Sequence, residues 1–396
     1  MTNEHDAQST PPRWTGWNDP RLRALLFQVV FLVAVLALLG FIVHNTLTNL
    51  ESRGINTGFG FLSNESGFGI IQTLVEYSET SSFGRTFVVG LLNTLLVSLL
   101  GIGLATLLGF AIGVARLSHN WLVSRLAAVY IEVFRNVPLL LQIFFWYFAV
   151  LRALPHPRNS LALGEAVFLN LRGLYVPRPL FEPGFGWVLA ALALAVACAL
   201  LLAAWAGRRR LLSGQHFASG WAGLGLILLL PGLAFLFAGA PLGWELPALR
   251  GFNFSGGITV IPELAALLMA LTIYTAAFIA EIVRAGMLAV PKGQTEAAAA
   301  LGLKRMQVLR LVIIPQALRV IIPPLTSQYL NLLKNSSLAT AIGYPDLVNV
   351  FAGTTLNQTG QAVEVIAMTM AVYLSISLAI SLLMNWYNAH IALTER

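Results

Sequence analysis

The chain returns repeatedly to runs of about twenty residues almost without charge, and that repetition limits what it can fold into. Ala24–Val43 is the plainest case, with no charged side chain at all. About 20 mostly apolar residues in a helix cross the ~30 Å hydrocarbon core of a bilayer. The same test selects Thr86–Val114, Leu126–Leu151, Trp187–Gly207, Trp221–Ala240, Leu264–Val283, Leu318–Leu333 and Ala362–Trp386. Leu318–Leu333 is short and runs into the polar string KNSS. Hydrophobic residues make up 57% of the 396 residues and charged ones 10%, where soluble domains carry roughly 25% charged residues. That is too much apolar mass for one aqueous core. The sequence therefore reads as an all-α integral membrane protein with about eight transmembrane helices.

The polar tail Met1–Asn18 and the first apolar run are both longer than in a cleavable signal peptide, so the first run is expected to be a retained span. With the N-terminus in the cytoplasm, the inner loops hold roughly twice as many Lys and Arg as the outer ones. The inner set includes Arg13, Arg116, Arg208–Arg210, Lys292, Lys304, Arg305 and Arg396; the outer set includes Arg53 and Arg85. The positive-inside rule then puts both termini inside, although four outer arginines crowd the segment 152–185. Three outward segments are expected at 45–85, 152–185 and 241–262. The first, with Glu51, Glu65, Glu76 and Glu79, reads as a polar loop; the second is too rich in proline for regular helix.

The net charge of +7 sits in short clusters without an aromatic-interleaved basic face, which fits topogenic charge and not nucleic-acid binding. Cys198, alone in an apolar run, has no intrachain disulfide partner. No His/Cys cluster suggests a metal, and no cofactor is expected.

The most informative stretch is 286–324, GMLAVPKGQTEAAAALGLKRMQVLRLVIIPQALRVIIPP, in the most basic loop. Gln294–Leu301 is alanine-rich, with Glu296 in its expected first turn, near the positive end of the helix dipole. Gly302 ends that helix by tolerating a left-handed backbone. A second helix is expected over Lys304–Ile313, with Met306, Leu309 and Val312 or Ile313 on one face, before Pro315 interrupts it. Two short amphipathic helices with a bend suit either docking into a partner's groove or anchoring to lipid headgroups.

Glu296, Ala297, Ala298, Gly302 and Pro315 lie where the signature of bacterial ABC import permeases has its E-A-A, glycine and proline. Flanking strings VPKGQTEAA and PQALRVIIPPLTSQYLNLLKNSSLA resemble the polar amino acid subgroup. Upstream, GLLNTLLVSLLGIGLATLLGFAIGVARLS and YIEVFRNVPLLLQIFFWYF resemble the opening of the same domain. The resemblance covers roughly 85–386, interrupted by an insertion.

The resemblance implies a five-helix ABC type I importer core, here with an extra N-terminal span and a two-span insertion at about 152–262. Its implied parts are 1–85 (tail, first span and periplasmic loop), the permease domain 86–386 and a cytoplasmic tail 387–396. The layout resembles the larger permease subunit of general L-amino acid systems of the Aap/Bzt kind, in a bacterial inner membrane. The implied partners are cytoplasmic ATP-binding subunits seated on the loop around Glu296–Gly302, a second homologous permease forming a heterodimer, a periplasmic amino-acid-binding protein, and membrane lipid. The sequence has no GxxxxGK[ST] string, so ATP chemistry is expected from a partner and the chain is expected not to be an enzyme.

Pathway residues are sought among polar groups within spans, where charge is costly. Arg135, Asn136, Lys334, Asn335, Ser336 and Ser337 are candidates, because mixed charge suits an amino acid. Glu132 and Arg135 could instead pair at i, i+3, and Lys334 could snorkel to an interface. Asn93 and Thr94 suit interhelical hydrogen bonding, Gly101, Gly103, Gly109 and Gly113 suit close helix packing, and Phe144–Phe148 suits a lipid or interface belt. An ion-coupled secondary transporter would call for pseudo-symmetric halves and buried acids, neither evident in the sequence. A non-transporting assembly subunit would not need the docking motif.

Overall fold

A computed structural model describes residues 20–52, 57–215 and 217–391. The tail Met1–Asn18, Arg13, Arg53 and Arg396 lie outside the described residues. The helices are α1 (Pro20–Ser52), α2 (Phe83–Arg116), α3 (Trp121–Asn136), α4 (Leu139–Leu151) and α5 (Phe185–Ser213). They continue with α6 (Ser219–Phe237), α7 (Pro262–Leu288), α8 (Lys292–Ala300), α9 (Arg305–Ile342) and α10 (Ala362–Ile391). Seven of these are long and apolar enough to cross a membrane, and α3 with α4 makes an eighth crossing if the bent pair is one span.

That pair corrects the expected straight span Leu126–Leu151. The chain bends by 104° between α3 and α4. Pro138 has no N–H to continue the ladder and disfavours helical geometry at Val137, whose ψ is 126°. At 1.5 Å per residue the halves measure roughly 24 and 20 Å, each short of the ~30 Å core. Neither half crosses alone, and the two outer ends of the pair are tied to different helices. Arg116 Nη1 donates to Ser124 Oγ (3.0 Å) and ties α3 to the C-terminal end of α2. Tyr147 Oη donates to Glu263 Oε1 (2.8 Å) and ties α4 to the N-terminal end of α7.

Small residues set the packing of the central helices. Gly109 and Gly113 of α2 lie against Ile279 and Val283 of α7, so the two helices run parallel. α9 runs the other way, with Ile321 against Gly286 and Leu332 against Gly101. A continuous buried cluster joins them through Val97, Leu267, Leu271 and Ile321. Gly103, expected in the same role, faces open space. Outside this bundle, the apolar stretch of α1 buries nothing, and α5 packs mainly on α6.

Several boundaries move outward. α7 continues past Val283, so Arg284 lies on a helix and binds Glu281 through two hydrogen bonds of 2.6 and 2.9 Å. α10 runs to Ile391, so the expected tail from 387 begins as helix. The segment expected as a polar outer loop is also packed. Phe61 is buried with Phe83, Leu347 and Phe351, and the Gly58 N–H bonds Glu364 Oε1 (2.6 Å).

The segments flanking the α5–α6 hairpin depart locally from an all-α fold. They form strands β1 (Leu161–Leu163), β2 (Val167–Asn170), β3 (Gly173–Val176), β4 (Arg178–Phe181), β5 (Leu242–Glu245), β6 (Ala248–Arg250), β7 (Asn253–Ser255) and β8 (Ile258–Val260). The order β1-β2-β3-β8 makes one sheet, and β4–β5 and β6–β7 make two ribbons. Proline excludes helix here while leaving short strands, as Pro179 in the two-stranded β4–β5 ribbon shows. Phe254 stacks between Phe168 and Tyr175, with centroids 4.5 and 5.0 Å away, and joins the pieces.

Candidate functional site

The loop between α7 and α9 hangs from two long central helices by short connections. Ala289–Pro291 links α7 to α8, and α8 begins at Lys292, earlier than the sequence suggested. Glu296 therefore sits beyond the first turn, and the expected dipole contact does not apply. Its side chain and that of Ala297 are exposed, while Ala298 turns inward and is buried.

The end of α8 follows expectation. Gly302 has φ +75°, its N–H bonds Ala299 O (2.9 Å), and the Leu303 N–H bonds Ala298 O (3.3 Å). This paired closure satisfies the last helical carbonyls and needs a left-handed residue at Gly302. Leu301 beside it is 82% exposed and Met306 is 70% exposed. The inward-facing residue of the second helix is thus Val308, not Met306.

Pro315 does not break the chain into two helices. The ladder widens into a π-turn over Leu309–Ile313 just before it and then continues to Asn335. A wider turn gives the ring room against the preceding carbonyls, where a regular α-turn would clash. α9 is consequently one rod from the loop to the far end of the bundle. Behind the loop lies an apolar cavity of about 940 Å³, with Leu117 just after α2, Met287 of α7, Ala299 of α8, Leu303 of the turn and Val308 of α9 among its walls.

The proposed pathway residues fall into two separate groups. Arg135 and Asn136 end α3 and are exposed. Arg135 lies over the Phe278 ring at 5.2 Å, and Asn136 Nδ2 donates to Glu132 O (2.7 Å). No Glu132–Arg135 ion pair occurs among the described residues; Glu281–Arg284 is the pair present. Lys334 is exposed, Asn335 and Ser337 are partly buried, and Ser336 is fully buried with Oγ donating to Leu333 O (2.7 Å). No hydrogen bond among the described residues joins the two groups.

Other polar residues are more deeply set. Asn93 Nδ2 donates to Pro345 O (2.8 Å) and Gln72 O (2.9 Å), and Thr94 Oγ1 accepts from the Leu347 N–H (3.0 Å). Thr94 therefore ties α2 to the helical stretch 347–355, while Asn93, expected in the same interhelical role, instead holds two carbonyls that lie outside helices. Asp346 is fully buried, with Oδ1 accepting the Asn349 N–H (2.8 Å) at the start of the helical stretch 347–355. It was not singled out in the sequence, although an Asp before an apolar helical run is a helix-cap signal. Tyr147, grouped with a lipid-facing belt, is buried and bonds Glu263, while Phe145 and Phe148 of the same run are exposed.

The family described as "Binding-protein-dependent transport system inner membrane component" matches residues 101–393. The chain is 58% identical to the putative amino-acid ABC transporter permease protein YhdX of Escherichia coli, over 98% of this chain and 99% of that one. It is 50% identical to the general L-amino acid transport system permease protein AapQ of Rhizobium johnstonii, over the whole of both chains. To the glutamate/glutamine/aspartate/asparagine transport system permease protein BztB of Rhodobacter capsulatus it is 44% identical, over 96% of each chain.

Proposed function

The chain belongs to the family of binding-protein-dependent transport system inner membrane components, and we propose that it is the L-amino acid permease subunit of an ATP-driven importer. The observation that carries this reading is the loop Lys292–Ile313, which holds Glu296, Leu301 and Met306 exposed at one end of the bundle. An exposed apolar pair beside a short capped helix fits a groove on a partner better than it fits water. The partner is a cytoplasmic ATP-binding subunit that hydrolyses ATP, since the chain has no phosphate-binding loop of its own. Both termini lie on that cytoplasmic side, a second homologous permease completes the pore, and an external binding protein delivers the amino acid.

The geometry supports a direct mechanical coupling. A push on α8 reaches α7 through the three residues 289–291 and α9 through the four residues 301–304, beyond which α9 runs on to Ile342. The close seat of Ile321 on Gly286 makes α7 and α9 respond together. Closure of the ATP-binding subunits would tip these helices between two packings, with the energy supplied by the partner. In this reading the five-helix core is formed by α2, the α3–α4 pair, α7, α9 and α10, and α5–α6 with the strands is inserted into it.

Co-purification tests the reading. Glu296→Lys with Gly302→Pro removes a surface carboxylate and demands φ near −65° where the chain has +75°. The intact chain should bring down an ATPase and a second permease, and the double variant should lose the ATPase while remaining in the membrane. An intact chain that purifies without any ATPase in mild detergent would defeat the proposal.

A further inference from the structure

At the end of α7 opposite the docking loop, a cavity of about 450 Å³ opens between the strands and the bundle. Its size lies within the roughly 300–1,000 Å³ of small-molecule sites. Three charged side chains line it: Arg152 after α4, Arg172 from the β2–β3 turn, and Glu263 in the first turn of α7.

The fold brings these charges together but keeps them from pairing. Tyr147 Oη donates to Glu263 Oε1 (2.8 Å) and accepts from Arg152 Nη2 (3.1 Å), while the Arg152 guanidinium lies 5.2 Å from the Tyr147 ring centroid. Tyr147 is itself buried, so this spacer is held rigidly. No ion pair forms between Arg152 and Glu263, nor between Arg172 and any acid, among the described residues.

Arg172 is placed by the sheet. β2 and β3 are joined by a two-residue turn, and the Arg172 N–H is held by Asn170 Oδ1 (2.8 Å). β3 pairs with β8, which leads straight into Pro262 and Glu263. Gly173 lets the strands meet this closely: its φ is +133°, and any side chain there would collide with the Val260 carbonyl. On the cavity wall, Tyr175 Oη donates to Asn253 Oδ1 (2.9 Å), which leaves the Asn253 amide N–H groups free to donate. Burial raises the Tyr175 hydroxyl above its ordinary value, so it stays protonated as that donor.

Opposite charges without ion-pair partners around one cavity call for a ligand that carries both charges. We infer that this cavity is an entry site for a free zwitterionic amino acid, its carboxylate on Arg152 and Arg172 and its ammonium on Glu263. The inference rests on the amino-acid transport reading above. It also gives the strand-bearing segments a task, because Arg172, Tyr175 and Asn253 all come from them. Glu263, with Ile71 and Ile261, also lines a second cavity of about 200 Å³ that reaches Pro345 and Asn349.

The test is equilibrium binding of a tritiated mixture of L-amino acids to the complex purified in detergent without external binding protein. Saturable binding is expected for the intact chain. Arg172→Ala and Glu263→Gln should each weaken it about tenfold or more, the scale of one lost charge-assisted hydrogen bond, and Arg172→Lys should retain part of it. N-acetylated and amidated amino acids, each lacking one charge, should compete poorly. Unfolding midpoints and retention of the ATPase show that the variants are assembled.

Absence of saturable binding to the intact complex overturns the inference, and so do variants that bind like the intact chain. It is also overturned if Arg172→Ala releases an external binding protein from the complex while free amino-acid binding is unchanged, which would make this a protein-docking face. An ATPase that still co-purifies in any of these cases leaves the importer reading standing and the entry site alone refuted.

Discussion

Two helical regions of this chain are equally suited to lipid by composition and differ in almost everything else. In α7 over half of the apolar window is buried (56%), against 6% in α5 and in α6. The central bundle is drawn together by glycines against β-branched side chains and tied by buried Asn93 and Thr94. Between α5 and α6 no side-chain hydrogen bond occurs among the described residues, and most glycines of the pair face open space. Lipid tails are as apolar as leucine, so hydropathy places a helix in the membrane without saying what it touches. Contact is specified instead by small residues at the right spacing and by polar groups with partners.

The sharpest way to break that contrast is to thicken the bundle's glycine seam. A Cβ on Gly109 would lie 2.6 Å from Ile279 Cβ and 3.0 Å from the Ala276 carbonyl, and one on Gly113 would lie 2.7 Å from Val283 Cβ. Both neighbours are β-branched and stiff, so the helices must separate. Gly109→Ala and Gly113→Ala should each destabilise by about 1–3 kcal/mol, the usual cost of overpacking, and the double variant by more than either. Thermal unfolding in detergent measures this, with Gly103→Ala, on an open face of the same helix, as the control. A Gly109→Ala midpoint equal to that of Gly103→Ala would show that the seam is not tight.

How far the sequence reveals this organisation follows from the same contrast. The spans were legible because apolar length is a property of each segment alone. Within α2, however, glycine spacing did not separate Gly103 from Gly109, since only the position of α7 decides which one is covered. The loop between α7 and α9 was legible in its glycine stop at Gly302 but not in its second helix, where a π-turn absorbs Pro315. The bend at Pro138 had a local cause in view, yet apolar continuity concealed it. Arg135 and Lys334 attracted notice as charges in apolar runs, whereas Tyr147 meets Glu263 only through the packing of α4 on α7, and Arg172 comes beside Glu263 only through the pairing of β3 with β8. Asp346 carried a cap signal, but nothing in the sequence marked it as fully buried.

A smaller effect sharpens the second half of the comparison, the polar ties. Asn93 holds two carbonyls, of Gln72 and Pro345, from 72 and 345 in the chain onto α2. Asn93→Ala leaves both without that donor and opens space at a fully buried position. A net hydrogen bond contributes about 0.5–1.5 kcal/mol, so a loss of about 1–2 kcal/mol is expected for the pair. Hydrogen exchange at the start of the stretch 347–355 should rise with it, because that segment would lose its tether. Unaltered exchange there would mean the tie is incidental.

The mildest prediction puts a methyl group on the α5–α6 seam. A Cβ on Gly223 would meet Ala199 Cβ at 3.3 Å, a tight contact with a single methyl rather than with a branched side chain and a carbonyl. α5 and α6 bury little else, so the pair can part by a few tenths of an ångström without dragging a core along. Against that small cost, alanine in a helix gains about 0.5–1 kcal/mol over glycine. Gly223→Ala should therefore leave the unfolding midpoint unchanged or slightly raised, where the same exchange at Gly109 lowers it. Opposite signs for one substitution at two glycines would show that the bundle, and not the hairpin, is packed to its limit. A drop at Gly223 as large as that at Gly109 would instead mean that α5 and α6 are held together as firmly as the core, and their exposure would then mark a surface that lipid alone does not cover.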